Sequence, residues 1–304
     1  MKSHAQTLSN WVIGCSKILV PLVGLMKKEM LKSDYICSDE TTVNVLQESK
    51  STNYIWVHQS GERHNRIVIY EYNKSRSQDV INEFLLNFRG YHQSDGYVGY
   101  AAVHSKDYII GVGCMAHARR KFMSLVKVSK TRGVADEIVD IMNNLYKIEK
   151  KCSGLPVENI KSIRQSESVV FLNELKDKLE YYKDKAVPKG FLYNAINYSL
   201  NQWQKLTAYL QDGRLRIDNN DSERAIKPFV IGRKNWMFHN TEGGADASCV
   251  IYSIIETCKA NNVNAFNYLK YVLENVHKVQ NEEQLFDLLP FNISRDILKE
   301  NRRA

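Results

Sequence analysis

The segment NYIWVHQSGERHNRIVIYEYN, residues 53–73, decides the fold class that this sequence predicts. It contains two runs rich in β-branched and aromatic residues, Asn53–Ser60 and Arg66–Asn73, with Ser-Gly-Glu-Arg between them. Two such runs around a short polar turn with a glycine are typical of a β-hairpin. An antiparallel strand pair is therefore the starting point for interpreting the rest of the chain.

The segments on either side extend this hairpin to a larger sheet. We expect the preceding strand at Asp39–Leu46 and an amphipathic helix at Ser75–Phe88 that Gly90 terminates. A short strand then leads to Asp95, and the apolar run Tyr108–Met115 forms another. The helix is inferred from apolar residues that share one face: Val80, Ile81, Phe84, Leu85 and Phe88. This order of elements predicts an α/β fold in which helices flank a mixed sheet.

Helical patterns dominate outside the sheet. The first thirty or so residues predict a helix, and strand signals largely vanish over residues 117–211, where Ala135–Lys151 and Val169–Lys185 have helical periodicity. A loop then leads to a short helix from Ser222, a basic aromatic segment, and helices from Ala247 to about Val276. We therefore divide the chain into an N-terminal helical segment (1–33), the first part of the sheet domain (34–125), a mostly helical insertion (126–210), the remainder of the sheet domain (211–276) and a C-terminal tail (277–304).

The composition favours a globular protein with a polyanionic partner. Hydrophobic residues make up 43% of the 304 residues and charged residues 25%, which excludes a disordered chain. The formal net charge is +8 and the isoelectric point is about 9.0. Lysine and arginine gain affinity for nucleic acids by releasing counterions from phosphates, so this charge favours DNA or RNA as a partner.

The cysteines and the apolar N-terminal stretch bear on the cellular compartment. The six cysteines are scattered without a C-x-x-C pair, which predicts neither a disulfide framework nor a zinc ribbon and favours a reducing cytoplasm. Trp11–Met26 contains Ser16, Lys17 and Pro21, and we interpret it as too short and too polar for a membrane span. No membrane partner is therefore predicted.

Two aspartates near predicted strand ends are candidates for metal binding. Asp39 lies in SDETTV and Asp95 lies in SDGYVGY. Carboxylates on adjacent strands suit Mg²⁺, whose hard charge prefers oxygen ligands, and paired ions of this kind promote phosphoryl transfer. Structural alternatives remain open at this point, because Asp-Gly is a common turn dipeptide and Asp39 also suits a solvated strand entry.

Glu223 is a third candidate with a strong structural alternative. The residues Asn220-Asp221-Ser222-Glu223 resemble a capping box at a helix start, and Glu223 has the spacing to pair with Lys227 one turn later. Three other acids compete for the same role: Asp212, Asp218 and Asp221. Local sequence alone does not choose among them.

A resemblance to a known family changes the weight of these alternatives. The blocks LSNWV, SDETTV, YIWV, YEYNKSRSQDV, GYHQSDGYVGY, GCMAHARRKF, LYKIEK, LNQWQKLTAYLQDGRLRIDNNDSERAIKPFVIGRKNWMF, SIIETCKANN and QLFDLLPFNI occur in this order along nearly the whole chain. They resemble successive blocks of the insertion sequence 66 family of transposases. The run from Asp212 to Phe238 is long and unusual, so chance similarity is a poor explanation.

The resemblance implies a ribonuclease-H-like core with an Asp-Asp-Glu catalytic triad. Matched motif by motif, the triad corresponds to Asp39, Asp95 and Glu223, which would bind Mg²⁺ with Mn²⁺ as a substitute. The implied activity is metal-dependent cleavage of DNA at the ends of the element, followed by strand transfer to target DNA.

Basic and aromatic residues supply candidates for DNA contact. Cys114 and His117 form C-x-x-H, which is only half of a structural zinc set. We therefore interpret Cys114 as a packing residue, and His117 as a residue that contacts DNA or braces the active site. Trp236 is interpreted either as a base-stacking residue or as a core residue. The predicted DNA-binding residues are His117, Arg119, Arg120, Lys121, Arg224, Arg233, Lys234, Asn235 and Trp236.

The resemblance also sets expectations about partners. The expected partners are DNA at the element ends and at the target, a second copy for synapsis, and accessory proteins of the element. The expected location is the bacterial cytoplasm, with the nucleoid. Relatives carry an N-terminal zinc-binding region, and because Met1 stands just before LSNWV we expect that region to be absent. A transposase-derived DNA-binding protein without catalysis and a structure-selective nuclease on the same fold are the competing hypotheses.

Overall fold

The structure is a computed structural model that describes residues 2–48, 52–61 and 65–300. Five strands form one mixed sheet: β1 Tyr35–Val43, β2 Asn53–Ser60, β3 Val68–Asn73, β4 Gly90–Gln93 and β5 Ile109–Val112, in the order β3-β2-β1-β4-β5. The expected α/β class with a mixed sheet and many helices is therefore confirmed. By internal contacts the chain divides into a first unit, Met1–Gly90 with Asp221–Ala304, and a second unit, Tyr91–Asn220.

Helices make up most of the remaining described residues. In chain order they are α1 Lys2–Met30, α2 Gln78–Phe84, α3 Ala101–His104, α4 Met115–Val128, α5 Val134–Lys151, α6 Val157–Ile163, α7 Val169–Lys183, α8 Phe191–Asn201, α9 Trp203–Thr207, α10 Asn220–Trp236, α11 Glu242–Ala260, α12 Ala265–Asn275, α13 Glu282–Asp287 and α14 Arg295–Glu300. A π-helical turn joins α6 to α7, and single 3₁₀ turns occur at residues 98–100, 208–210 and 276–278.

The predicted hairpin is the centre of the first unit. Strands β2 and β3 pair antiparallel with Val57 opposite Tyr70, and β1 pairs antiparallel with β2 so that Asp39 lies opposite Val57. Directly opposite residues point to the same face of a sheet. On this face Val57 and Tyr70 belong to one buried cluster with Phe229 of α10 and residues of α11, so the two helices cover the sheet here.

Three boundaries differ from the sequence expectation. The first strand begins at Tyr35 rather than Asp39, because the buried residues 35–38 extend the pairing with β2. Helix α2 covers only Gln78–Phe84 of the segment expected to be helical. Gly90 does not end that helix; it opens β4 with a φ of 135°, and a Cβ there would lie 2.3 Å from the Asp34 carbonyl oxygen. Only glycine suits this close approach of two backbone segments.

The open edge of β3 is covered by hydroxyl groups of α11. The Val68 N–H donates to Thr257 Oγ1 at 3.0 Å, and the Tyr70 N–H donates to Ser253 Oγ at 2.8 Å. One turn further along, the Asn261 amide donates to the Arg66 carbonyl at 2.7 Å. Because these three polar residues are spaced four apart, they form one stripe on the helix. The helix therefore satisfies backbone groups that an edge strand otherwise leaves for another chain.

Helix α1 confirms the expected N-terminal helix but is longer than the apolar stretch suggested. Over Gln6–Met30 it is long and apolar enough to cross a membrane by length and composition, with a mean hydropathy of 1.5 over an 18-residue stretch. The expectation that the stretch is too short and too polar is thus corrected, because the helix extends beyond Trp11–Met26 at both ends. Core helices of globular proteins and signal sequences near an N-terminus meet the same criterion. Leu22 and Met26 are fully buried and the helix packs on α11, but only 22% of the apolar stretch is buried.

The second unit is largely helical, as expected for residues 117–211. Its most buried charge is Arg164 in the π-helical turn, 3% exposed, which forms a two-pronged ion pair with Glu149 at 2.8 and 2.6 Å. The same guanidinium donates to the carbonyls of Tyr209, Asp212 and Leu215. This arginine therefore joins the helices of the insertion to the loop that precedes α10.

Helix α10 also differs from expectation. A short helix from Ser222 and a separate basic aromatic segment were predicted, but one helix covers Asn220–Trp236 and includes Pro228. Ile226 and Phe229 are buried in the cluster on the sheet face. Their packing accounts for a helix that continues through a residue of low helix propensity.

Candidate active site

Asp39 lies in the middle of β1, not at a strand end. It is partly buried, and its Oδ1 accepts the Glu40 N–H at 2.9 Å. Glu40 points to the opposite face because side chains alternate along a strand, and its carboxylate, 2% exposed, accepts a hydrogen bond from Arg76 Nε at 2.7 Å. The two adjacent acids therefore differ: Glu40 forms a structural ion pair, whereas Asp39 lies on the face that α10 covers.

Glu223 lies in the first turn of α10, on the helix that packs against this same face. The Tyr70 hydroxyl donates a hydrogen bond to the carbonyl of Ala225, two residues after Glu223. Tyr70 occupies the cross-strand row that also contains Val57 and Asp39. Burial raises the pKa of Tyr70 far above its ordinary value, so its hydroxyl keeps the proton that it donates. The start of α10 is thus held over the row of Asp39.

The other end of α10 is held by a second contact. Arg233 donates to Thr41 Oγ1 at 3.1 Å and also contacts Thr42, both near the end of β1. From Glu223 to Arg233 the helix rises about 15 Å, at roughly 1.5 Å per residue. The contacts at Tyr70 and at Thr41 fix both ends of α10 on the sheet, and Asp39 and Glu223 both belong to the first unit.

The three competing acids each have a structural partner. Asp212 forms an ion pair with Arg214 at 2.8 Å, and hydrogen bonds from Arg214 lower the pKa of Asp212 below its ordinary value. Asp218 accepts the Asn220 N–H at 3.2 Å. Asp221 pairs with Arg224 on the exposed surface of α10. Local structural roles therefore account for these acids, and Arg224 is an exposed residue already paired within its own helix.

Asp95 belongs to the second unit and follows β4. Its Oδ1 accepts the Tyr97 N–H at 2.9 Å, which closes a turn of the kind that the Asp-Gly dipeptide suggested. Tyr198 of α8 packs directly on this turn, because a Cβ at Gly96 would lie 2.4 Å from the Tyr198 hydroxyl oxygen. Burial and the negative charge of Asp95 raise the pKa of Tyr198 to about 12.

The basic residues of α4 divide into two groups. Lys121 is exposed, and its Nζ lies 4.5 Å from the centre of the Tyr198 ring, beside the Asp95 turn. Arg120 is also exposed, with Nη1 3.4 Å from His117 Nε2. Arg119 instead points to α5, where its Nε donates to Asn143 Oδ1 at 2.9 Å. The exposed pair, Arg120 and Lys121, is therefore the part of this cluster that is open to a phosphate.

The cluster at the end of α10 is mixed in the same way. Lys234 and Asn235 are exposed. Trp236 is partly buried, 5.2 Å from Phe229 and 4.4 Å from His239 between ring centres. This is the packing that the core interpretation of Trp236 predicted, while contact with DNA stays a prediction.

Cys114 has the structural role that was considered for it. It is buried at the start of α4, and its sulfur accepts the Asn219 N–H at 3.2 Å. All six cysteines are free thiols. Cys114 therefore holds the segment that leads to α10 rather than forming part of a structural zinc set with His117.

A metal-binding set is not assembled by the described part of the chain. Residues 2–48, 52–61 and 65–300 include no group of three or more His, Cys, Asp and Glu side chains placed to hold a metal ion. The candidate ligands are distributed between the units, Asp39 and Glu223 in the first and Asp95 in the second. All three are carboxylates, and this donor type suits Mg²⁺ or Mn²⁺.

Sequence patterns missed two functional candidates in the second unit. Tyr198 stands two positions before Leu200, where a motif block starts, and nothing in its local pattern connects it with Asp95, about a hundred residues away in sequence. The sequence pattern around Arg164 is that of an ordinary residue on a helix surface. Only long-range contacts reveal either role.

Comparison with known proteins identifies the family. The sequence matches the family described as Transposase IS66 family over residues 1–247 and the IS66 C-terminal element over residues 253–291. The chain therefore belongs to the insertion sequence 66 family of transposases, as the motif resemblance predicted.

Similar proteins occur in Sinorhizobium fredii. Uncharacterized protein y4hP is 28% identical over 312 residues, which covers 95% of this chain and 56% of that protein. Uncharacterized protein y4jD is 30% identical over 305 residues, which covers 95% of this chain and 60% of that protein. The chain thus spans less than two thirds of the length of these relatives. No solved structure shows a significant match.

Proposed function

We propose that this chain is the catalytic part of a DNA transposase, which cleaves phosphodiesters at insertion-sequence ends and transfers the freed strand to target DNA. The observation that carries the proposal is the contact between Tyr70 and the Ala225 carbonyl. Ala225 is two positions after Glu223, and Tyr70 belongs to the cross-strand row of Asp39, which supports a common site for the two acids. Family membership supports the same reaction class.

A ribonuclease-H-like core is part of this proposal. Its support is the strand order β3-β2-β1-β4-β5, in which the first three strands form an antiparallel meander. The proposal requires that Asp95 of the second unit complete the ligand set of Asp39 and Glu223. These three carboxylates would hold Mg²⁺, with Mn²⁺ as a substitute, and the bound ions would activate a water and stabilise the leaving oxygen.

The reaction balances as two displacements at phosphorus. In the first, a water oxygen bonds to phosphorus and the bond to the 3′-oxygen breaks, which leaves a 3′-hydroxyl. In the second, that hydroxyl attacks a target phosphodiester and displaces another 3′-oxygen. Arg120 and Lys121 are exposed cations near the Asp95 turn and would attract and hold the phosphate backbone. No covalent bond between protein and DNA is needed.

The partners follow from this chemistry. DNA at the element ends and at the target is the substrate, and pairing of two ends requires at least two copies of the chain. Accessory proteins of the element and a place in the bacterial cytoplasm with the nucleoid complete the proposal. His117, Arg224, Arg233, Lys234 and Asn235 remain proposed DNA contacts.

The test is nicking of a supercoiled plasmid that carries the element's terminal repeats, with Mg²⁺ or Mn²⁺. Asp39→Asn, Asp95→Asn and Glu223→Gln are each expected to reduce nicking by about a hundredfold or more, while DNA binding in a mobility-shift assay is retained. Asp107→Asn and Glu274→Gln, at exposed residues of the same units, are matched controls that keep wild-type activity.

The alternatives give different results in this assay. DNA binding without nicking by the wild type would identify a repurposed DNA-binding protein. Nicking without strand-transfer products would identify a nuclease. Full activity of Glu223→Gln together with a loss in Asp218→Asn or Asp221→Asn would move the third ligand to one of these acids.

A further inference from the structure

The side chain of Tyr198 closes over the turn that presents Asp95, although it comes from the helical insertion. The three atoms nearest to a Cβ built at Gly96 all belong to the phenol ring or hydroxyl of Tyr198, at 2.4, 2.6 and 2.8 Å. The Gly96 N–H is close enough to this hydroxyl oxygen to act on the pKa of Tyr198, which it lowers against the larger effect of burial. Gly96 does not adopt a positive φ, so sterics with Tyr198, not backbone conformation, require a glycine here.

The rest of the turn is held by its own hydrogen bonds. Asp95 Oδ1 accepts the Tyr97 N–H at 2.9 Å, and Ser94 Oγ donates to the Asp95 carbonyl at 3.0 Å. The turn is therefore fixed from within at Asp95 and from outside at Gly96. On the other side of the ring, the Lys121 ammonium lies 4.5 Å from the ring centre. Tyr198 thus connects the Asp95 turn with the exposed side chain of Lys121.

We propose that Tyr198 is a positioning residue that fixes the Asp95 carboxylate for metal binding and keeps Lys121 beside it for the DNA phosphate. This inference rests on the proposed function and extends it to the helical insertion, which thereby takes part in the site. Tyr198 holds no metal itself. Its oxygen restrains the backbone at Gly96, and through it the direction of the preceding carboxylate.

The test uses the full chain and the variant Tyr198→Phe, which keeps the ring and removes only the oxygen. Mn²⁺ affinity is measured by electron paramagnetic resonance without DNA, and hydrogen exchange of the Gly96 amide is measured by NMR without metal. We expect Mn²⁺ affinity and nicking to fall about tenfold to a hundredfold, as is typical for residues that orient metal ligands. The Gly96 amide is expected to exchange at least tenfold faster.

Tyr268→Phe is the matched control. Its hydroxyl donates to the Leu288 carbonyl at 2.6 Å, so this variant also removes a tyrosine hydroxyl that contacts the backbone. A purely structural effect predicts similar losses of melting temperature in both variants and an unchanged Mn²⁺ affinity in both. The positioning role predicts weaker Mn²⁺ binding in Tyr198→Phe alone.

Gly96→Ala probes the same contact from the other side if Tyr198→Phe does not fold. Its Cβ displaces the Tyr198 hydroxyl, and the same loss of Mn²⁺ affinity is expected. A wild-type protein that binds Mn²⁺ through Asp95, with equal affinity in a folded Tyr198→Phe or Gly96→Ala variant, overturns the positioning role and leaves the proposed function standing. A wild-type protein that neither binds Mn²⁺ nor nicks DNA overturns the proposed function and, with it, this inference.

Discussion

Replacing Thr257 with valine tests how the edge of the sheet is stabilised. In β3 the N–H groups of Val68 and Tyr70 donate to Thr257 Oγ1 and Ser253 Oγ, at 3.0 and 2.8 Å. Both hydroxyl residues are fully buried. Valine has nearly the shape of threonine, so Thr257→Val leaves the packing in place and removes the hydroxyl, which accepts from the Val68 N–H and donates to the Val68 carbonyl at 3.2 Å.

The magnitude follows from the cost of an unsatisfied buried amide. One such group costs about 1–3 kcal/mol, so Thr257→Val and Ser253→Ala are each expected to lower the free energy of unfolding by that amount. The double variant removes both acceptors on adjacent helical turns and is expected to lose about 2–6 kcal/mol, which approaches the total stability of many domains. The exposed edge also favours pairing between chains, so aggregation is expected to increase.

The assay is urea unfolding followed by circular dichroism, with hydrogen exchange at Val68 and Tyr70. Thr257→Ser is the control, because it keeps the hydroxyl and loses one methyl group, at a cost of about 1 kcal/mol. The reasoning is refuted if Thr257→Val unfolds at the wild-type urea concentration while its Val68 amide stays as protected as in Thr257→Ser.

Three further predictions concern other buried groups. Arg164→Met leaves Glu149 buried without its ion-pair partner and should lower the free energy of unfolding by about 3–5 kcal/mol. The double variant Arg164→Met with Glu149→Leu should recover much of this loss in urea unfolding. A single variant as stable as the wild type would contradict the ion-pair role. Gly90→Ala places a Cβ 2.3 Å from the Asp34 carbonyl at a φ of 135° and should cost about 1–3 kcal/mol, and an unchanged melting temperature would show that the β4 start is not constrained. Burial, with a smaller effect of the Lys205 charge, lowers the pKa of His104 to about 3. Its neutral form therefore stabilises the fold above pH 6.5, and this stabilisation is lost as the pH falls from 6.5 towards 3. His104→Gln should flatten that decline by a few kcal/mol, on the order expected for such a shift, and an equally steep decline in the variant would exclude His104 as its source.

Much of the fold follows from local patterns. The hairpin at Asn53–Ser60 and Val68–Asn73, the helices of residues 117–211, and helices α11 and α12 appear where side-chain periodicity predicts them, whereas α13 and α14 lie in the segment expected to be a tail. The start of β1 does not follow from local patterns, because Tyr35–Ser38 becomes a buried strand only through pairing with β2. The continuation of α10 through Pro228 likewise depends on packing of Phe229 against the sheet.

The candidate site was only partly accessible from sequence. Motifs name Asp39, Asp95 and Glu223 as the acids to test. Glu223 stays a prediction, with Asp221 beside it paired with Arg224. Asp39 and its neighbour Glu40 differ in that Glu40 is paired with Arg76. Neighbouring acids carry the same carboxylate group but differ in which face of the strand or helix they occupy.

The sequence by itself determined the α/β class, the basic character and the family, and it led to the proposal of the three carboxylates, because each of these follows from composition, short-range periodicity or contiguous motifs. The tertiary structure alone decided that Asp39 lies in mid-strand on the face covered by α10, that Ser253 and Thr257 cover the edge of β3, and that Tyr198 closes over the Asp95 turn. The physical reason is that these relations join residues between about a hundred and two hundred positions apart. Their energies come from burial and hydrogen bonds that exist only once the chain has folded.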